Sequence, residues 1–219
     1  MNSERPVVII GGKGTAVNIA EQIEDARLRH GNPLRVEGFA IDDPLLGKEI
    51  AGLPVVCGVR EVWSKFRDSD VGFIFALYRP DVMPQRLALA RELQIPIERF
   101  ENFIHPLAYV SASAVMGRGN VIMSHACLQQ GVALGNFNII NSHVVIEHEA
   151  ALADGCFLAA SVCVGARVRI GSAIFVGLNS TLREDLTVAD HVVVGMASGL
   201  LNSVAEGAVV YGLPARPKR

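Results

Sequence analysis

The sequence predicts two parts, an α/β domain over residues 1–104 and an all-β parallel β-helix over residues 105–219. Three observations predict it. A six-residue aliphatic repeat runs without insertion through the second half. The first half alternates buried-strand and helix patterns. Aromatic residues make up only 6% of a chain that is 50% hydrophobic, and stacked repeats build their cores from small aliphatic side chains of this kind.

Counted in sixes from Val110 through Met116 and Ile122 to Val194 and Leu200, all sixteen positions are aliphatic. At a 50% hydrophobic frequency, chance gives about 10⁻⁵ for one chosen register. The next residue is Gly or Ala in nine of the sixteen hexads, Gly117, Gly135 and Gly165 among them. A period of six suits neither a helix nor an alternating strand. It suits a triangular coil in which each hexad supplies a short strand and a corner. The aliphatic residue points inward, and its small neighbour lets the chain bend. Three hexads close a coil, so residues 18 apart stack at about 4.8 Å.

In the first half, residues 6–10 (Pro-Val-Val-Ile-Ile) read as a buried parallel strand. Gly11-Gly12-Lys13-Gly14 follows, then a helical pattern from Thr15 to about Arg29. Strand, glycine turn and helix N-terminus together present backbone N–H groups to an anion. A second strand over residues 35–41 ends in Asp42-Asp43, an acidic pair suited either to ribose or sugar hydroxyls or to a plain turn. Further alternation runs through residues 55–56, 59–66, 72–78 and 81–93, with Pro96 expected to stop the last helix. The glycines do not complete a dinucleotide fingerprint, which argues against NAD.

Twenty basic against 22 acidic residues give net −2, so no global field attracts nucleic acid or an anionic membrane. The apolar runs are far shorter than a membrane span of about 20 residues. The opening residues lead directly into a strand, so no signal peptide is expected and the chain reads as cytoplasmic. Cys57, Cys127, Cys156 and Cys163 show neither paired nor metal-type spacing and read as buried reduced thiols.

A repeat breaks its own rule where other chemistry is required. The Gly/Ala position carries Gln129, Asn141 and Glu147, and His125, His143, His148 and Glu149 lie among them. His125 and His143 differ by 18 and are expected to stack. His148 followed by Glu149 is the pair suited to general-base work, since neutral imidazole accepts a proton near pH 7 and a carboxylate steadies the imidazolium.

These residues resemble the bacterial nucleotide-sugar N-acetyltransferases of bacillosamine and perosamine synthesis, with sialic-acid O-acetyltransferases as relatives. The resemblance covers nearly the whole chain. It rests on residues 7–14, on Gly38-Phe-Ala-Ile-Asp-Asp43 with Gly47-Lys48, on Asn-Ser-His-Val-Val-Ile-Glu-His-Glu at 141–149, and on Tyr211-Gly-Leu-Pro-Ala215. It implies a Rossmann-like front domain and a left-handed β-helix; ordinary crossover preference would give the opposite hand. It implies a homotrimer with active sites between neighbouring β-helices, no metal, and a role in surface-glycan synthesis. His148 would be the base at the sugar C4 amine, assisted by Glu149, with Asn141 nearby. Acetyl-CoA would lie along the intersubunit groove, its thioester carbonyl on a backbone N–H near Gly165 and Ala166. Numbering agrees, since Ala166 is one coil beyond His148. Phe157 stands on the cofactor side, where the bacillosamine enzymes carry a second active-site histidine. The nucleotide would sit on Gly12, Lys13, Gly14 and Thr15, with Asp42 and Asp43 at its edge; some relatives have a histidine where this chain has Thr15.

Three other readings remain open, of which the plainest is a structural or purely nucleotide-sensing protein with no turnover. A second is O-acetylation of a sialic acid-like sugar. The third is a γ-carbonic anhydrase-like zinc enzyme, because His143 and His148 are five residues apart and His125 lies one coil earlier. Those anhydrases lack the α/β front domain.

Overall fold

A computed structural model describes residues 4–218. Residues 1–3, at which the signal-peptide reading begins, and Arg219 lie outside the described residues. The α/β part runs β1 (Arg5–Ile10), α1 (Thr15–His30), β2 (Leu34–Ala40), β3 (Glu49–Ile50), β4 (Leu53–Cys57), α2 (Val62–Phe66), β5 (Gly72–Phe75) and α3 (Met83–Glu92). The sheet order is β3-β4-β2-β1-β5, parallel except for the β3–β4 hairpin. Helix α1 starts at Thr15 as its pattern predicts, buries Ala16, Ile19, Ala20, Ile23 and Ala26 along one stripe, and ends on left-handed Gly31. Helix α3 stops before Pro96 has any part in it: Gln94 takes φ 53° and turns the chain.

The second half is a parallel three-sided prism. Its first face holds six strands from Tyr109–Val110 to Gly199–Leu200, and its second holds five from Val115–Met116 to Thr187–Val188. The third face begins at Phe103–Ile104, one hexad before the counted array, and continues through Val193–Val194 to Val209–Tyr211 and Arg216–Pro217. Pairing follows the 18-residue register, as in Leu128 with Ile146 and Ile146 with Val164. The last coil is two residues short, with Val194 opposite Val210. Inward residues such as Ile140, Ile146 and Val164 are fully buried.

Where the residue after the aliphatic one is glycine, it has a different purpose from the expected bend. A Cβ on Gly165 would lie 2.5 Å from the Glu184 nitrogen, and one on Gly177 would lie 2.5 Å from the Met196 nitrogen. These positions stay small because the next coil's backbone crosses there. The bend falls two residues later, where Phe137, His143, Glu149 and Arg167 adopt φ of 59–61°. Because this recurs at corner after corner, it belongs to the fold and marks no special site.

The α/β part seats on the third face. The outward row Phe103, Val121 and Ile139 is fully buried in one core with β1 and α1. On the sheet's other side, Phe137 and Ala173 join Phe73, Phe75, Met83 and Leu87. Cysteine burial is narrower than expected. Only Cys156 is buried, its thiol pushed up to about 12 by desolvation, while Cys57, Cys127 and Cys163 are half-buried; all four are free thiols.

The corner between the second and third faces carries an asparagine ladder. Asn102 Oδ1 accepts from Asn120 N–H at 2.8 Å, and Asn120 Oδ1 accepts from the backbone and side-chain N–H groups of Asn138 at 3.0 Å each. Asn138 Oδ1 then accepts from Cys156 N–H at 2.9 Å. Asn120 and Asn138 are fully buried, so the backbone N–H groups of Asn120, Asn138 and Cys156 depend on the ladder. Replacing Asn138→Ala orphans the Cys156 N–H and should cost about 1–3 kcal/mol in urea unfolding. Unchanged stability would contradict this account of the corner.

Candidate active site

The nucleotide candidates gather at the C-terminal ends of β1, β2 and β5. Gly12 and Lys13 face Ile41, Asp43, Ala76, Leu77 and Tyr78 across a hollow of about 320 Å³. The N–H groups of Gly12, Lys13, Gly14 and Thr15 find no acceptor among the described residues, whereas Gly11 N–H is spent on Ala40 O at 2.9 Å. The acidic pair is partly committed to the chain itself. Asp42 Oδ1 accepts from Val59 N–H at 3.0 Å; Asp43 accepts from Leu45 N–H at 3.0 Å and pairs with Lys13. The Lys13 ammonium, and after it the Leu45 N–H, holds the Asp43 carboxyl below the usual carboxylate range. Both carboxylates still line hollows.

A second groove of about 380 Å³ runs from Thr15, Tyr78 and Pro80 on the α/β part to Asn141, Phe157 and Leu178 on the prism. Phe157 stacks on Phe175 with ring centroids 5.3 Å apart and an interplanar angle of 8°, and meets Tyr78 at 5.9 Å. Sequence reasoning missed Tyr78. It walls both the hollow and the groove, and its hydroxyl donates to Phe137 O. Burial raises the phenol far above its ordinary value, so it stays protonated as a structural donor. Asn141 is buried and donates Nδ2–H to Leu158 O at 2.7 Å. A carbonyl only accepts, so the amide nitrogen is fixed there and Oδ1 is the atom left to receive a hydrogen bond.

His148 is not in that groove. Asn141 opens the corner between the third and first faces, while His148 and Glu149 occupy the next corner, beyond Val145–Ile146. Within one chain the structure therefore separates Asn141 and Phe157 from His148. The expected stack of His125 and His143 is present, with centroids 5.1 Å apart and 19° between planes, on the Asn141 side. His143 and His148 thus lie on different corners, and no group of three His, Cys, Asp or Glu side chains gathers to hold a metal among the described residues. His148 Nδ1 is 3.9 Å from Glu149 Oε2, beyond hydrogen-bond reach, and both side chains are about half exposed, at 46% and 54%. One coil on, Arg167 donates its N–H to His148 O at 3.0 Å and grips Asp185 at 2.7 Å through two nitrogens. Gly165 N–H is spent on Leu182 O at 2.9 Å, but Ala166 N–H has no acceptor among the described residues. Of that pair, Ala166 is the residue with a donor to offer.

No family model matches the sequence, and no curated protein does. Solved structures do. The acetyltransferase domain of PglB from Neisseria gonorrhoeae, in complex with acetyl coenzyme A, superposes with TM-score 0.84 at 24% identity over 99% of this chain and 100% of that one. PerB from Caulobacter crescentus, in complex with CoA and GDP-perosamine, gives 0.82 at 24% identity over 98% and 97%. WeeI from Acinetobacter baumannii gives 0.80 at 18% identity over 99% and 100%. The chain shares their fold from end to end. Among the described residues no helix is long and apolar enough to cross a membrane.

Tyr78→Phe should show whether the junction of hollow and groove is pinned as described. The Phe137 carbonyl loses its donor, and a drop of about 1–3 kcal/mol is expected in chemical denaturation. The loss should be the same at pH 6 and pH 9, since the phenol does not ionise in that range.

Proposed function

We propose that the chain is an acetyl-CoA-dependent N-acetyltransferase acting on the 4-amino group of a nucleotide-linked 4-amino-4,6-dideoxy sugar, for surface-glycan synthesis. The reading includes a Rossmann-like front domain, a left-handed prism and a cytoplasmic homotrimer with acetyl-CoA between subunits. One observation carries it: Tyr78 lines both the glycine-turn hollow and the Asn141–Phe157 groove, while His148 sits on another corner, available to a neighbouring copy. The fold shared with PglB and PerB supports the reaction class. The first face supports assembly, since its outward row is exposed at Tyr109 and only half-buried at Cys127, Val145 and Cys163.

In this mechanism the nucleotide occupies the Gly12–Thr15 side and the sugar reaches along the groove. Its amine is near Asn141 Oδ1 of one chain and His148 of the next. The amine nitrogen attacks the thioester carbonyl carbon as the imidazole takes its proton, and Ala166 N–H receives the developing oxyanion. The C–S bond then breaks, and the imidazolium returns its proton to the CoA sulfur. Glu149 stabilises that imidazolium through its charge, at a distance too long for a hydrogen bond. The aromatic floor of Phe157 and Phe175 suits a deoxy sugar, because a hydroxyl placed there would lose its water without gaining a partner.

His148→Asn should leave assembly intact on sedimentation and lower kcat by about 10²- to 10⁴-fold, the range for loss of a general base. Near-normal kcat would exclude His148 from that role. UDP-, GDP- and dTDP-linked 4-amino-4,6-dideoxy sugars, followed by CoA thiol release, test the substrate class. Turnover is expected with one of them, and no release with any would overturn the reading.

A further inference from the structure

The hollow at the glycine turn has a neighbour. A second, also about 320 Å³, lies on the side of Asp42, Val59 and Arg60, and the two share Ile41, Asp43, Leu77 and Arg86 as walls. Arg86 thus stands where they meet. Tyr78 in turn lines both the first hollow and the groove on the prism. An arginine thus borders both hollows, and a tyrosine borders the first hollow and the groove.

The charges lining the two hollows are nearly all committed. Lys13 pairs with Asp43. Arg79 is held by both oxygens of Asp81 at 2.6 and 2.7 Å. Arg60 reaches out to Glu92 at 3.3 Å, and Asp42 takes the Val59 N–H. Arg86 makes no ion pair and no hydrogen bond among the described residues, yet it is half-buried. It also sits in the first turn of α3, where the helix dipole disfavours a cation. A half-buried guanidinium placed against the dipole, with no hydrogen bond and only the charge of Asp81, already held by Arg79, nearby, favours a ligand that supplies an anion. Its planar fork matches two phosphate oxygens at once.

We propose that Arg86 binds the diphosphate of the nucleotide sugar at the junction of the two hollows. The nucleoside then lies beside Asp42 and Val59, and the sugar runs past Tyr78 into the groove. This rests on the reading of the hollows as the nucleotide site. Arg86 is a substrate-binding residue in this scheme and takes no part in proton transfer.

Calorimetric titration of the full-length protein with UDP, GDP and dTDP, and separately with CoA, tests it. The wild type is expected to bind at least one nucleoside diphosphate. Arg86→Gln should weaken that binding about 10- to 100-fold, the loss of a charge-assisted contact, and Arg86→Lys should recover part of it. Affinity for CoA should not change. Equal diphosphate binding by wild type and R86Q would overturn the assignment, as would loss of CoA affinity in its place. If the wild type bound none of the three, the nucleotide reading of the hollows would fail first, and Arg86 with it.

Discussion

The parallel backbone ladder closes on itself every 18 residues, and the position of each other group follows from that. A hydrogen-bonded coil of three short strands fixes which side chains stack, which turn inward and which stand on a corner. Displacing the register by a single residue would expose the buried column of Leu128, Ile146 and Val164 and bury their outward neighbours. The same closure puts Asn141 and His148 on different corners although only seven residues separate them. In the proposed mechanism, chemistry that needs both is divided between copies of the chain.

Much of this was legible in the sequence because the constraint is periodic. The hexad count fixed the prism, and the interval of 18 fixed the stacking of His125 on His143. Two further rows at the same interval were equally legible and went unread. Asn102, Asn120 and Asn138 form the polar ladder, while Val121, Ile139, Phe157 and Phe175 form the outward apolar row. An apolar outward row means that one face is covered, and the α/β part is what covers the Val121 and Ile139 end of it.

What the sequence did not reveal depends on contacts between distant segments. No local pattern pairs Lys13 with Asp43 or aims the Tyr78 hydroxyl at Phe137, 59 residues away. The purpose of the small corner residues is likewise a tertiary matter, since the next coil passes at Gly165 while Arg167 makes the turn. The nearness of Asn141 to His148 came from resemblance alone. The register already argues against it within one chain.

In the proposed mechanism a working site draws His148 from one copy and the groove from another. Two variants are co-produced with different tags, and the mixed assemblies carrying both tags are isolated. One is His148→Asn; the other is Ala160→Trp, which fills the groove from its wall. Each alone should be nearly inactive. The mixed assemblies should regain turnover, because some sites then combine an intact histidine with an open groove. Mixed assemblies as inactive as their parents would contradict the account.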